Sequence, residues 1–172
     1  MTTPPFETPT DADIAAVTAQ LGRPARDVVG IAARCVCGQP TVVSTAPRLA
    51  DGTPFPTFYY LSHPAATIAA STMEAEQLMV EFTAMLAEDP ALQSAYDAAH
   101  QAYLADRAHY GEVPEIEGIS AGGMPVRIKC LHALMGHALA AGPGVNPFGD
   151  LALARSSWSP DRCVCAPVTA ES

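Results

Sequence analysis

Basic residues are scarce in this chain. Nine Lys+Arg stand against 18 Asp+Glu, giving a formal net charge of -9 and a pI near 4.8. A surface of that sign repels phosphodiester backbones and anionic lipid, so nucleic acid and membrane surfaces are poor partners. Long apolar runs are missing too. The most hydrophobic stretch, Leu131 to Ala141, is interrupted by His132, Gly136 and His137, and it falls short of the roughly 20 residues that span a bilayer, so no membrane insertion is expected. The opening MTTPPFETPTDAD has neither a basic n-region nor an apolar h-region; no secretory leader is expected, and the chain reads as cytoplasmic. Also absent are the serine nucleophile elbow, the Walker loop, the dinucleotide fingerprint and the zinc-protease motif, which sets several large enzyme classes aside.

What is present suits one folded domain. At 172 residues and 49% hydrophobic, the chain can bury one core but hardly two. Residues 1–9 are proline-rich and expected to be disordered, 10–155 form the domain, and 156–172 read as a tail that Trp158 and the Cys163/Cys165 pair tie down in part. Thr10 reads as an N-cap with Asp13 three residues on, before Ile14, Val17 and Leu21 at helical spacing and Gly22 as a stop. Then VVGIAARCV, TVVST and TFYYLS, between turn-forming segments, lack helical periodicity and are rich in β-branched and aromatic residues. They predict a three-stranded antiparallel meander. His63-Pro64 opens a helical half, Ser71 with Glu74 has the spacing of a capping box at a second start, and Asp89-Pro90 begins a third helix running to about Tyr110. The expected fold is α+β, a small three-stranded antiparallel sheet packed with five to six helices.

Reactive side chains concentrate in GGMPVRIKCLHALMGHALAAGPGVNPFGD, residues 122–150, with a helix expected over 127–141. At 100° per residue, Cys130, Leu134, His137 and Ala141 share one stripe and His132, Met135 and Leu139 another. Apolar residues surround this helix, so it should be buried and its histidines enclosed. The loop holding Gly122 and Gly123 delivers Arg127 and Lys129 to the helix start, where free amides and the helix dipole favour an anionic small molecule bearing phosphate or carboxylate. A bare turn is the plainer alternative. A thiol there, Cys130, gains thiolate character, so Cys130, His132 and His137 are the catalytic candidates. His100 and His109 lie among charged neighbours and are expected at the surface.

Five cysteines in a reducing compartment point to metal, catalysis or inert burial rather than to disulfides. Cys35 and Cys37, if they continue a strand, face the same side. Zinc takes four Cys/His ligands, and Cys35, Cys37, His63 and Cys130 are the expected set, with His132, His137, Cys163 and Cys165 as further candidates.

The segments APRLADGTPFPTFYYL at 46–61, AYDAAHQAYLADR at 95–107 and KCLHALMGHALAAGPGVNP within 129–147 resemble a largely actinobacterial family known as domain of unknown function 501. The resemblance implies a cytoplasmic bacterial protein and brings no activity with it. It also implies cysteine at the His63 position in relatives, and a variable Cys163/Cys165 tail. Family genes tend to neighbour those for enolase, a septum-formation initiator and an exopolyphosphatase-like enzyme. That setting implies a link to division or phosphate metabolism, and the alternative of a non-catalytic protein that binds a partner in the division or envelope machinery.

Overall fold

The structure, a computed structural model, is described over residues 3–165. Thr10 caps α1 (Asp11–Leu21): its hydroxyl accepts from the Asp13 amide at 3.1 Å, the Asp13 carboxylate accepts from the Thr10 amide at 3.0 Å, and Gly22 ends the helix in the left-handed region. The strands are β1 (Val28–Arg34), β2 (Pro40–Thr45) and β3 (Tyr59–Leu61), antiparallel in the order β1-β2-β3. Alternation gives the sheet two working faces. Ile31 and Val43 turn to α1, where Val17 covers them, while Ala32, Val42 and Leu61 face the main core. Arg34 reaches back from β1 to Asp13 at 2.7 Å and Glu7 at 3.1 Å, fixing α1 to the sheet.

Five more helices follow: α2 (Pro64–Ala75), α3 (Leu78–Glu88), α4 (Pro90–Ala108), α5 (Leu131–Ala141) and α6 (Pro147–Arg155). The fold is therefore α+β, a three-stranded antiparallel sheet with six helices. The start expected at Ser71 does not occur. Helix α2 runs through Ser71 to Ala75, and the chain turns at Gln77, φ 66°. Spacing alone imitates a capping box; here the Ser71 hydroxyl meets the His132 ring and the Glu74 carboxylate caps a different helix. Helix α5 is also shorter than expected. The Arg127 and Lys129 amides close a loop onto the Gly123 and Gly122 carbonyls, at 3.0 and 2.8 Å, and Cys130 is extended, so the helix begins only at Leu131.

Burial runs round most of α5, as a helix lacking a polar face requires. It lies between β3 on one side and α2 and α6 on others. Its crossing with α6 is close enough that a Cβ on Gly149 would stand 2.2 Å from the Leu134 carbonyl oxygen, so only glycine fits. Tyr59 and Tyr103 pack on its His137, and Tyr96, Phe58, Phe82 and Phe148 are also fully buried, each phenylalanine contributing about 1.5 to 3 kcal/mol. Among the described residues, no helix is long and apolar enough to cross a membrane.

Candidate functional site: two clusters of ligand-type atoms

The first cluster forms where the β1–β2 turn meets the last described residues. Strand β1 ends at Arg34, and Cys35-Val36-Cys37-Gly38-Gln39 is a turn rather than a continued strand. The Cys35 amide donates to the Gln39 carbonyl and the Gly38 amide to the Cys35 carbonyl, both at 2.8 Å, with Gly38 at φ 91°. That tight turn points both sulfurs the same way, and Cys163 and Cys165 meet them. The four sulfurs all lie within 4.8 Å of one another. The Gln39 amide brings the Cys37 thiol down to about 7, whereas burial pushes Cys35 and Cys165 up. One thiolate forms readily; four in contact require a cation among them.

His63 borders this cluster without joining its four-atom group. It caps α2, and its Nδ1 accepts from the Ala65 amide at 3.2 Å. Burial holds the ring below its ordinary pKa, so it is neutral. A neutral ring accepting at Nδ1 carries its proton on Nε2, which therefore donates to Cys165 Sγ at 3.1 Å. Trp158, 5% exposed, packs on the same ring at a centroid distance of 5.3 Å and anchors the segment that bears Cys163 and Cys165.

The second cluster sits at the start of α5. Glu74 of α2, Cys130 and His132 bring a carboxylate oxygen, a sulfur and a ring nitrogen within 4.8 Å of one another. Glu74 Oε1 accepts from the Leu131 amide at 2.8 Å and lies 3.1 Å from His132 Nδ1. Cys130 Sγ is 4.0 Å from that same nitrogen, and His132 Nε2 is 3.2 Å from Ser71 Oγ. The neighbouring Cys130 sulfur, helped by Glu74, outweighs burial and raises His132 to about 9. Burial pushes the Cys130 thiol up, but the His132 ring and the Ala133 amide more than offset it, and the thiol ends below its ordinary value.

A cleft of about 720 Å³ opens beside this cluster, between β3 and residues 118–133. Arg127, Lys129, Cys130, His132, Gly122 and Gly123 all line it. Both basic side chains are exposed, and among the described residues neither enters an ion pair. Lys129 is the sole lysine of the sequence. The first amide of α5, that of Leu131, is already taken by Glu74, so the cleft's cationic groups are Arg127, Lys129 and the His132 ring, which is paired with Glu74.

The structure thus parts residues that sequence spacing had grouped. Cys35 and Cys37 stand with Cys163 and Cys165, His63 borders them, and Cys130 belongs to the other cluster. His137 lies in neither. It is fully buried, stacked on Tyr59 at 5.5 Å and edge-on to Tyr103 at 5.2 Å, and its Nδ1 accepts from Asn146 Nδ2 at 3.1 Å. Burial lowers its pKa to about 4. His100, expected at the surface, is 6% exposed and 2.8 Å from Ser120 Oγ, while His109 is exposed as expected. Glu74 was not among the expected site residues; the only local signal was that it shares a helix face with Ser71 at i, i+3.

A family model described as "Protein of unknown function (DUF501)" matches residues 31–154. No curated protein and no solved structure matches the chain. The matched segment holds Cys35, Cys37, Glu74, Cys130 and His132 and ends before Cys163. With most of its length covered in this way, the chain belongs to the DUF501 family of proteins of unknown function.

Proposed function

We propose that the protein is a zinc-binding protein that uses Cys35, Cys37, Cys163 and Cys165 to fasten residues 156–165 onto the β1–β2 turn, and that it takes a small anionic ligand in the cleft beside α5. One observation carries the metal reading: four sulfurs from two distant segments within 4.8 Å of one another. Four thiolates in one shell suit zinc, which closes a structural site with four ligands and lacks the redox chemistry of iron. The His63 N–H directed at Cys165 is the kind of outer partner that orients a metal-bound thiolate. The ligand reading rests on Arg127 and Lys129, two cations that enter no ion pair among the described residues and line one cleft of an acidic protein. Phosphate and carboxylate compounds are the matching class.

Elemental analysis of protein purified without an affinity tag, under reducing conditions, tests the metal reading. Wild type should hold at least about one zinc, and the Cys163→Ser, Cys165→Ser variant should hold about one fewer. A wild type with less than about a tenth of an equivalent, or a double variant with unchanged zinc, overturns it.

A further inference from the structure

Three arrangements could account for Glu74, Cys130 and His132. A cysteine relay places the thiol at one ring nitrogen and the carboxylate at the other, yet here both Cys130 and Glu74 approach Nδ1, at 4.0 and 3.1 Å. A serine relay has the right order, with Ser71 at Nε2 and Glu74 at Nδ1. It has the wrong setting. Ser71 sits inside α2, where the backbone amides are engaged in the helix, so no oxyanion cradle is at hand, and it is not part of the cleft wall. A simple ion pair that caps α5 explains Glu74 and His132 but gives no role to the sulfur.

Three different donor atoms converging on one point is the pattern of a metal centre. Ligands held at 2.0 to 2.3 Å around a tetrahedral zinc stand about 3.3 to 3.7 Å apart, and the observed separations of 3.1 and 4.0 Å bracket that range. Glu74 Oε1 has one lone pair for the Leu131 amide and one to spare. Ser71 Oγ at Nε2 supplies the outer partner that a metal-bound imidazole regularly has. Cys130 and His132 also line the cleft with Lys129 and Arg127.

We infer that Glu74, Cys130 and His132 form a second zinc site, three-liganded and open to the cleft, whose fourth position takes water or an oxygen of the anionic ligand. The ligand's class rests on the cleft reading proposed above; the site itself is independent of the four-cysteine centre. Zinc with three protein ligands and one open position has the coordination of catalytic centres, whereas four sulfurs close the shell.

Zinc stoichiometry separates the two sites. Full-length wild type, equilibrated with zinc and freed of excess, should retain about two equivalents, falling to about one in His132→Ala, in Cys130→Ser and in the Cys35→Ser, Cys37→Ser variant. Circular dichroism establishes that each variant is folded. Ser71→Ala, a positioning change, should keep both ions at saturation while weakening one about tenfold. Cobalt(II) gives a second readout, because sulfur-to-cobalt charge transfer should be strong at the four-thiolate site and weak at the site with one thiolate. One equivalent in wild type that survives His132→Ala and vanishes in the Cys35→Ser, Cys37→Ser variant overturns the second site and leaves the first standing. One equivalent with the opposite pattern supports the second site and removes the first.

Discussion

The two clusters differ in what holds them together. Glu74 and His132 project from α2 and α5, helices packed in the main core, and Cys130 is the residue just before α5. The four cysteines join a surface turn to the last described segment, which Trp158 alone anchors in the core. A core-mounted site is organised before its ligand arrives; a site that joins a surface turn to a distant segment is organised by it. The first arrangement suits chemistry, because preset geometry costs nothing at the moment of binding. The second suits architecture.

Removing the metal should break the comparison most visibly. A structural zinc contributes on the order of 10 kcal/mol of apparent binding free energy, and at the proposed four-cysteine centre that energy would hold residues 156–165 in place. Chelation, or the Cys35→Ser, Cys37→Ser change, should release this segment: a protease should nick it first, and emission from Trp158, the only tryptophan, should shift to the red as its ring enters water. The helical circular dichroism should persist, since α1 to α6 end before the segment begins. Simultaneous loss of helix and of buried tryptophan would show that the centre supports the whole domain, and the contrast drawn above would fall.

Acid gives the next largest effect, in the main core. His137 is neutral when folded, its pKa lowered by burial to about 4 from an ordinary 6.5. As pH falls below 6.5, the unfolded chain binds this proton and the folded chain does not. The contribution is therefore intact above pH 6.5 and lost towards pH 4, on the order of 3 kcal/mol in all. His63 and His100, also lowered by burial, act in the same direction. Denaturant melts in the Cys35→Ser, Cys37→Ser background exclude proton competition at those sulfurs. His137→Phe should flatten the pH dependence by about that amount, at a constant cost for the one Asn146 N–H that loses its ring partner. An unaltered slope would remove His137 as the source.

Legibility in the sequence followed the range of the interactions involved. Strands written in Val, Ile, Thr and Tyr, and the Thr10/Asp13 cap, depend on near neighbours, and they read correctly. Ser71 and Glu74 carry the same cap spacing, but tertiary partners claim both side chains: His132 takes the hydroxyl and the Leu131 amide takes the carboxylate. His100 looked exposed among charged neighbours, yet Ser120, twenty residues away, gives it a buried partner. The pairs Cys35/Cys37 and Cys163/Cys165 stand out in the sequence, but spacing could not say that they meet. Spacing alone therefore offers Cys130 as the missing ligand, whereas its partners are a histidine two residues on and a glutamate from α2.

The smallest predicted effect lies in the cleft, and it sharpens the claim that this cluster is built for a ligand. Inorganic phosphate at tenfold its dissociation constant should stabilise the native state by about 1.4 kcal/mol, raising the melting temperature by roughly 3 to 5 °C in a chain of this size. Lys129 is exposed and, among the described residues, enters no ion pair, so Lys129→Ala should leave the ligand-free melting temperature nearly unchanged. Removing one solvent-screened cation from the site costs about 1 kcal/mol of affinity, or about fivefold in the dissociation constant, so a titration followed by melting temperature resolves it. The Cys163→Ser, Cys165→Ser protein should keep the wild-type phosphate response, because its altered residues lie outside the cleft. Equal phosphate shifts in wild type and Lys129→Ala would mean that the ion binds elsewhere. The α5 cluster would then retain its metal-ligand geometry and lose its claim to an anionic ligand.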